Sequence, residues 1–199
     1  MKITFIIIAT IATVLIIFYL TSCNNKANKD EKVIEKNVSK PKIYKTEENT
    51  YPELRQVAFS INPEKLGLNF ENDKTIVYGV IMDWEMGGAT ASTISYATGD
   101  ASLYLSSGGG VIGGGQHQNV SSAAKQFVSV AQKYLGKAQK TETSQLPDQN
   151  EIKFYLLTNK GIYLGIEKME NFENNSSEWM ELFESGNKVL SELRTVSSK

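Results

Sequence analysis

The chain is poor in the residues that most often carry chemistry. It holds one cysteine, one histidine, four prolines and two tryptophans in 199 residues. A lone cysteine excludes a disulfide framework within the chain. A lone histidine excludes the commonest zinc constellations, which need several His or Cys ligands, and we expect neither metal nor cofactor. Charge of either sign is also not in excess: 21 basic against 22 acidic residues leave a formal net charge of −1. That balance argues against nucleic acid as a partner, because such binding neutralises many phosphates. The length allows one ordinary domain with additions, not two full domains.

What is present begins with a long apolar run. After Lys2, Ile3 to Leu20 carries no charge and is dominated by Ile6-Ile7-Ile8 and Leu15-Ile16-Ile17-Phe18. It approaches the roughly 20 residues that span a bilayer, so hydropathy alone fits a cleaved signal or a permanent anchor. The flank separates the two. Leu20-Thr21-Ser22-Cys23 closes the run with small residues and the only cysteine. This resembles the lipobox of bacterial lipoproteins. The resemblance covers residues 1–23 and implies a signal peptide over residues 1–22, cleavage before Cys23, and acylation of the Cys23 sulfur. It places the mature chain in the cell envelope, held to a membrane by acyl chains and facing the periplasm or the exterior. Two or more such chains hold a protein durably, at about 0.8 kcal/mol per buried methylene.

Residues 23–50 read as the lipidated cysteine and a tether. The segment is polar, Lys-rich, mixed in charge sign and broken by Pro41. It has too little apolar surface to offset its ordering entropy. A coil of this length spans roughly 30 Å.

Residues 51–199 read as a single α+β domain. A short helix starts near Pro52. Strands follow at Thr75 to Trp84, Thr90 to Ala97 and Ser102 to Ser106, separated by Gly87-Gly88 and Thr98-Gly99-Asp100. Such short connections predict an antiparallel meander. Val120, Ala124, Phe127, Ala131 and Tyr134 recur at helical spacing and predict a helix over residues 121–135, capped by Ser121. A hairpin is predicted from Glu151 to Thr158 and from Gly161 to Lys168. The last helix is predicted over residues 177–196, with Asn175 as its cap and Glu178 completing a capping box. The simplest packing is a five-stranded antiparallel sheet (meander, helix, hairpin, helix) with the two longer helices on one face. This architecture is broadly similar to the profilin-like or roadblock-type sandwiches, which transfer no residue roles here.

Three places invite a functional reading. The first is Gly108-Gly109-Gly110-Val111-Ile112-Gly113-Gly114-Gly115, in which Gly108, Gly110 and Gly113 satisfy GxGxxG. The helix begins too late, the strand lies in a meander, and no acidic strand end follows, so a dinucleotide loop is not expected. The glycines instead serve backbone geometry, or offer exposed amides to an anionic ligand group. The second place comprises Asp83, Glu85 and His117, which could work as acid, base and partner in a small hydrolase. Nothing in the sequence brings His117 to the two carboxylates, so no catalytic residue is nominated. The third is a tyrosine surface. A helix-free sheet face would carry Tyr78, Tyr104, Tyr155 and Tyr163, and tyrosine favours contact with a protein or ligand.

The favoured expectation is therefore a lipid-anchored, non-enzymatic protein- or ligand-binding module of the envelope. Envelope-assembly accessories and immunity-type inhibitors of toxin-like proteins are built at this scale. The small hydrolase is the alternative.

Overall fold

The computed structural model describes residues 42–43, 50–71 and 73–198. The chain divides into two units, Met1–Asn37 and Val38–Lys199, and all that follows concerns the second. The expected signal peptide, Cys23 and nearly all of the expected tether lie outside the described residues.

The domain is α+β, with one mixed-length antiparallel sheet and several helices. In chain order the elements are β1 (Lys42–Ile43), α1 (Tyr51–Ser60), β2 (Val77–Glu85), β3 (Thr90–Tyr96), β4 (Ala101–Leu105), β5 (Gly110–Ile112), α2 (Gln118–Tyr134), β6 (Gln139–Thr141), β7 (Glu151–Thr158), β8 (Gly161–Lys168), α3 (Met169–Glu173) and α4 (Met180–Ser197). The sheet order is β1-β5-β4-β3-β2-β7-β8-β6. The five-stranded expectation is thus corrected: seven strands lie between Val77 and Lys168, and Lys42–Ile43 adds an eighth at one edge. The two additional strands in the body are β5 and β6. Each has three residues, one buried in a glycine run and one wholly polar, so neither displays the alternation that marks a strand. Both lie at or next to an edge, where a few ladder bonds suffice.

The two long strands β2 and β7 pair at the centre, with Val80 opposite Leu156 and Asp83 opposite Lys153. This pairing joins the meander to the hairpin. A register shift between Val77 and Gly79 changes the phase of alternation. Both Val77 and Val80 therefore reach the same core, although they are an odd number of residues apart.

That core lies beneath the two long helices. Val80, Met82, Phe154 and Leu156 of the sheet meet Phe127 of α2 and Leu182 and Leu193 of α4. Burying each large side chain of this kind contributes about 1.5–3 kcal/mol. Trp179, just ahead of α4, stacks on Phe154 with ring centroids 5.6 Å apart. It does so over Gly165, where a Cβ would come within 2.2 Å of the indole. On this face β3 offers only Ala91, Thr93 and Ser95, all buried. Their small volume lets α2 and α4 lie close to the sheet, but the Thr93 and Ser95 hydroxyls have no partner among the described residues.

The opposite face is covered too, which corrects the expectation of a helix-free surface. Tyr51 and Ala58 of α1, with Leu66, Leu68 and Phe70 beyond it, close over Tyr78, Ile81, Ile94 and Tyr155. β2 is apolar on both faces because both faces are buried. The helix starts also differ from expectation. α2 opens at Gln118 with His117 in the cap position, so Ser121 lies inside the first turn. Asn175 takes a left-handed φ of 55° after α3 rather than capping α4. Glu178 pairs with Lys137 instead of closing a capping box.

Candidate functional site

The tyrosines do not form an exposed patch. Tyr78, Tyr104 and Tyr155 are buried under α1 and its following loop, at 6%, 8% and 0% exposure. Tyr163 lies on the other face, because β7–β8 register sets it opposite Leu156, whereas Tyr155 is opposite Leu164. The buried hydroxyls work as fasteners. Tyr78 donates to the carbonyl of Ile61 at 2.8 Å and Tyr96 to that of Ala58 at 2.8 Å.

The acid–base constellation is likewise not assembled. Asp83 bonds to Ser92 near the start of β3 and faces α1. His117 opens α2 on the other face, and the loop before it packs on the turn after β3, where a Cβ at Gly115 would lie 2.6 Å from the carbonyl oxygen of Gly99. The two residues thus belong to opposite ends of β3 and opposite faces of the sheet. Glu85 is half-buried and accepts hydrogen bonds from the amides of Gly88, at 2.5 Å, and Asn150, at 2.8 Å. These amides hold its carboxyl below the ordinary value and make it a brace between two turns. Among the described residues no cluster of His, Cys, Asp and Glu could hold a metal ion.

Asp83 is instead the centre of a closed polar cluster. Its carboxylate receives Arg55 from α1, with Nη2 at 2.5 Å and Nε at 3.0 Å, and the hydroxyl of Ser92. Ser92 in turn meets the Tyr51 hydroxyl at 2.9 Å. Lys153 stands opposite Asp83 across the β2–β7 pair. Complete burial pushes the Asp83 carboxyl up, against the pull of Arg55, Ser92 and Lys153. The same cluster holds three consecutive backbone carbonyls of the loop after β6. Arg55 Nη1 donates to Ser144 at 2.6 Å, the Tyr155 hydroxyl to Gln145, and Lys153 Nζ to Leu146 at 2.9 Å. Sequence reasoning missed this strap. Its signals were an aspartate inside an otherwise apolar strand and an arginine on the apolar side of α1. Every polar group is used internally and Asp83 has no exposed surface, so the cluster fastens rather than reacts.

The glycine run also has a mainly internal role. Gly108 and Gly109 take φ of 100° and 84° to turn the chain from β4 into β5. At Gly110 a Cβ would lie 2.3 Å from the Leu103 carbonyl oxygen, and at Gly114 one would lie 2.2 Å from the Leu193 side chain. Gly113 supplies a left-handed residue at φ 77° with open space around it.

The same strands form one wall of an open groove. It lies between the β4–β5 edge region and α4, holds about 430 Å³, and is lined by Met86, Leu105, Val111, Leu190 and Arg194 with Gly110. That volume falls in the range of about 300–1,000 Å³ common to small-ligand sites. Met86, on the β2–β3 turn, is 50% exposed there. Its unbranched, polarisable side chain suits an adaptable apolar contact. Of the sequence-nominated residues, Gly110 alone lines this groove.

No family model, curated protein or solved structure matches the chain, so profilin-like and roadblock-type folds find no support as relatives.

Proposed function

We propose that this chain is a lipid-anchored cell-envelope protein whose domain acts by binding, and that the groove beside Met86 is where it binds. The observation that carries the binding site is an open apolar concavity next to a half-exposed methionine. Half-exposed Met86, with partly buried Leu105 and Leu190 on the same concave wall, favours an apolar partner surface. The anchor rests on the apolar run and on Leu20-Thr21-Ser22-Cys23. Among the described residues no helix is long and apolar enough to cross a membrane, so in this reading attachment depends on the N-terminus. Catalysis by Asp83, Glu85 and His117 is disfavoured because His117 lies on the other sheet face from Asp83, which is itself buried and held by Arg55 and Ser92.

Two measurements test the proposal. Cys23→Ala is expected to abolish labelling by a fatty-acid analogue and to leave the precursor uncut. Unchanged size with full membrane retention would overturn the anchor. A photo-crosslinking residue at position 86, in the native envelope, is expected to give discrete adducts that the same residue at exposed Glu53 does not give. Identical adduct patterns at the two positions would overturn the groove as the binding face.

A further inference from the structure

The groove has a charge as well as an apolar wall, and the two together narrow what it takes. Arg194 lines it from the last turns of α4. Its guanidinium has no ion-pair partner among the described residues. The nearby acid on α4, Glu192, is already engaged by Lys188 at 2.5 Å and by Asn119. A cation near a helix C-terminus is favoured by the helix dipole, so Arg194 is stable in place without an acid of its own. The groove therefore presents apolar side chains along its length and one unneutralised, planar, doubly donating cation.

We infer that its occupant is a single-chain amphiphile with a carboxylate head, a fatty acid, whose tail lies along Leu105, Val111 and Leu190 and whose head pairs with Arg194. This rests on the groove reading above and adds the ligand class. Guanidinium matches a carboxylate with two parallel hydrogen bonds, which a neutral head cannot return. One chain suits a groove of about 430 Å³, near the small end of ligand sites, better than the paired chains of a bilayer lipid. A neutral apolar ligand would leave Arg194 unused.

The test uses the full chain in phosphatidylcholine nanodiscs, exposed to lauric acid carrying a photoreactive diazirine. Adducts are expected on the peptides that contain Met86 and Leu190, suppressed by unlabelled laurate and not by dodecanol. Arg194→Gln should lower labelling at least about tenfold, because it removes both charge-assisted hydrogen bonds. Met86→Gln, which removes apolar contact without adding charge, should lower it as well, while circular dichroism shows both variants folded. Labelling spread over the surface, equal competition by dodecanol, or an unaffected Arg194→Gln variant would overturn the inference. Competition by nanodiscs rich in phosphatidylglycerol would replace the fatty acid with a two-chain lipid and overturn it too. If position 86 still gives its own discrete crosslinks while laurate does not label, the ligand class fails and the groove stands. If neither occurs, both fail.

Discussion

Replacing Arg55 by methionine should weaken the domain more than any exposed charge substitution. Methionine keeps much of the apolar stem but removes the guanidinium, whose carbon lies 4.7 Å from the Phe59 ring centre. It removes both bonds to Asp83 and the bond to the Ser144 carbonyl. The Asp83 carboxylate is then left fully buried with Ser92 and the more distant Lys153. Breaking a buried pair from one side costs about 3–5 kcal/mol, because the remaining charge has lost both water and partner. A domain of this size has roughly 5–15 kcal/mol in all. At about 2–4 °C per kcal/mol, the melting temperature should fall by roughly 6–20 °C. By contrast, Lys133→Ala, which breaks an exposed pair with Glu181 between α2 and α4, should cost under about 1 kcal/mol. Urea unfolding followed by circular dichroism measures both. The double variant Arg55→Met with Asp83→Asn removes the stranded charge and should recover at least about 1 kcal/mol relative to the sum of the single changes. Hydrogen exchange over residues 144–149 should rise in Arg55→Met before the rest of the sheet is affected. A loss below about 1 kcal/mol, or strict additivity in the double variant, would refute the cluster as a fastening point.

Three further outcomes follow from the same packing. Gly110→Ala should cost about 1–3 kcal/mol and loosen β4–β5, whereas Gly113→Ala should cost about 1–2 kcal/mol from its left-handed backbone alone and leave that pairing intact, as amide exchange at Tyr104 and Leu105 would report. Thr93→Val should be neutral or stabilising in denaturant, since it deletes a buried hydroxyl without a partner. Burial, followed by the nearness of Asp83, pushes the phenols of Tyr51 and Tyr155 up to about 12. Unfolded tyrosine ionises near ~10, so the folded state keeps these protons longer. The resulting stability is complete below about pH 10 and is lost as pH rises through about 12. Ultraviolet titration should show a late tyrosine class that Tyr51→Phe and Tyr155→Phe each diminish, and ionisation of all tyrosines together near ~10 in the folded protein would contradict the buried cluster.

The long elements were legible because their patterns were long. The hairpin is bounded by Thr158 and Gly161 as the turn Asn159-Lys160-Gly161 indicates, and the stripe of Val120, Ala124, Phe127 and Ala131 faces the core. The three-residue strands were not legible, since Gln139-Lys140-Thr141 has no period to read. The second layer was hidden for another reason. α1 has a weak stripe, and part of what it buries is Arg55, whose partner lies 28 positions away in β2. Sequence spacing cannot announce such a pairing. β2 is apolar on both faces, which fits a covered second face, but that pattern names no cover and the second face was expected to be helix-free. In β8, Ile162, Leu164 and Ile166 look like a core stripe facing the long helices, yet Ile162 and Leu164 pack in the cluster under α1. Tyr163 and Gly165 carry that role instead, with Gly165 admitting Trp179.

The sheet is wide, yet both of its borders are short. On one side the last strand is the two-residue β1, and on the other it is the three-residue β6, with Lys140 at its middle. Strands so brief, and on the β6 side charged, are themselves poor templates for strand addition. β6 covers only Ile162 to Leu164 of β8, so among the described residues Gly165 to Lys168 have no strand beyond them, and a second chain adding to the sheet would have to pair there.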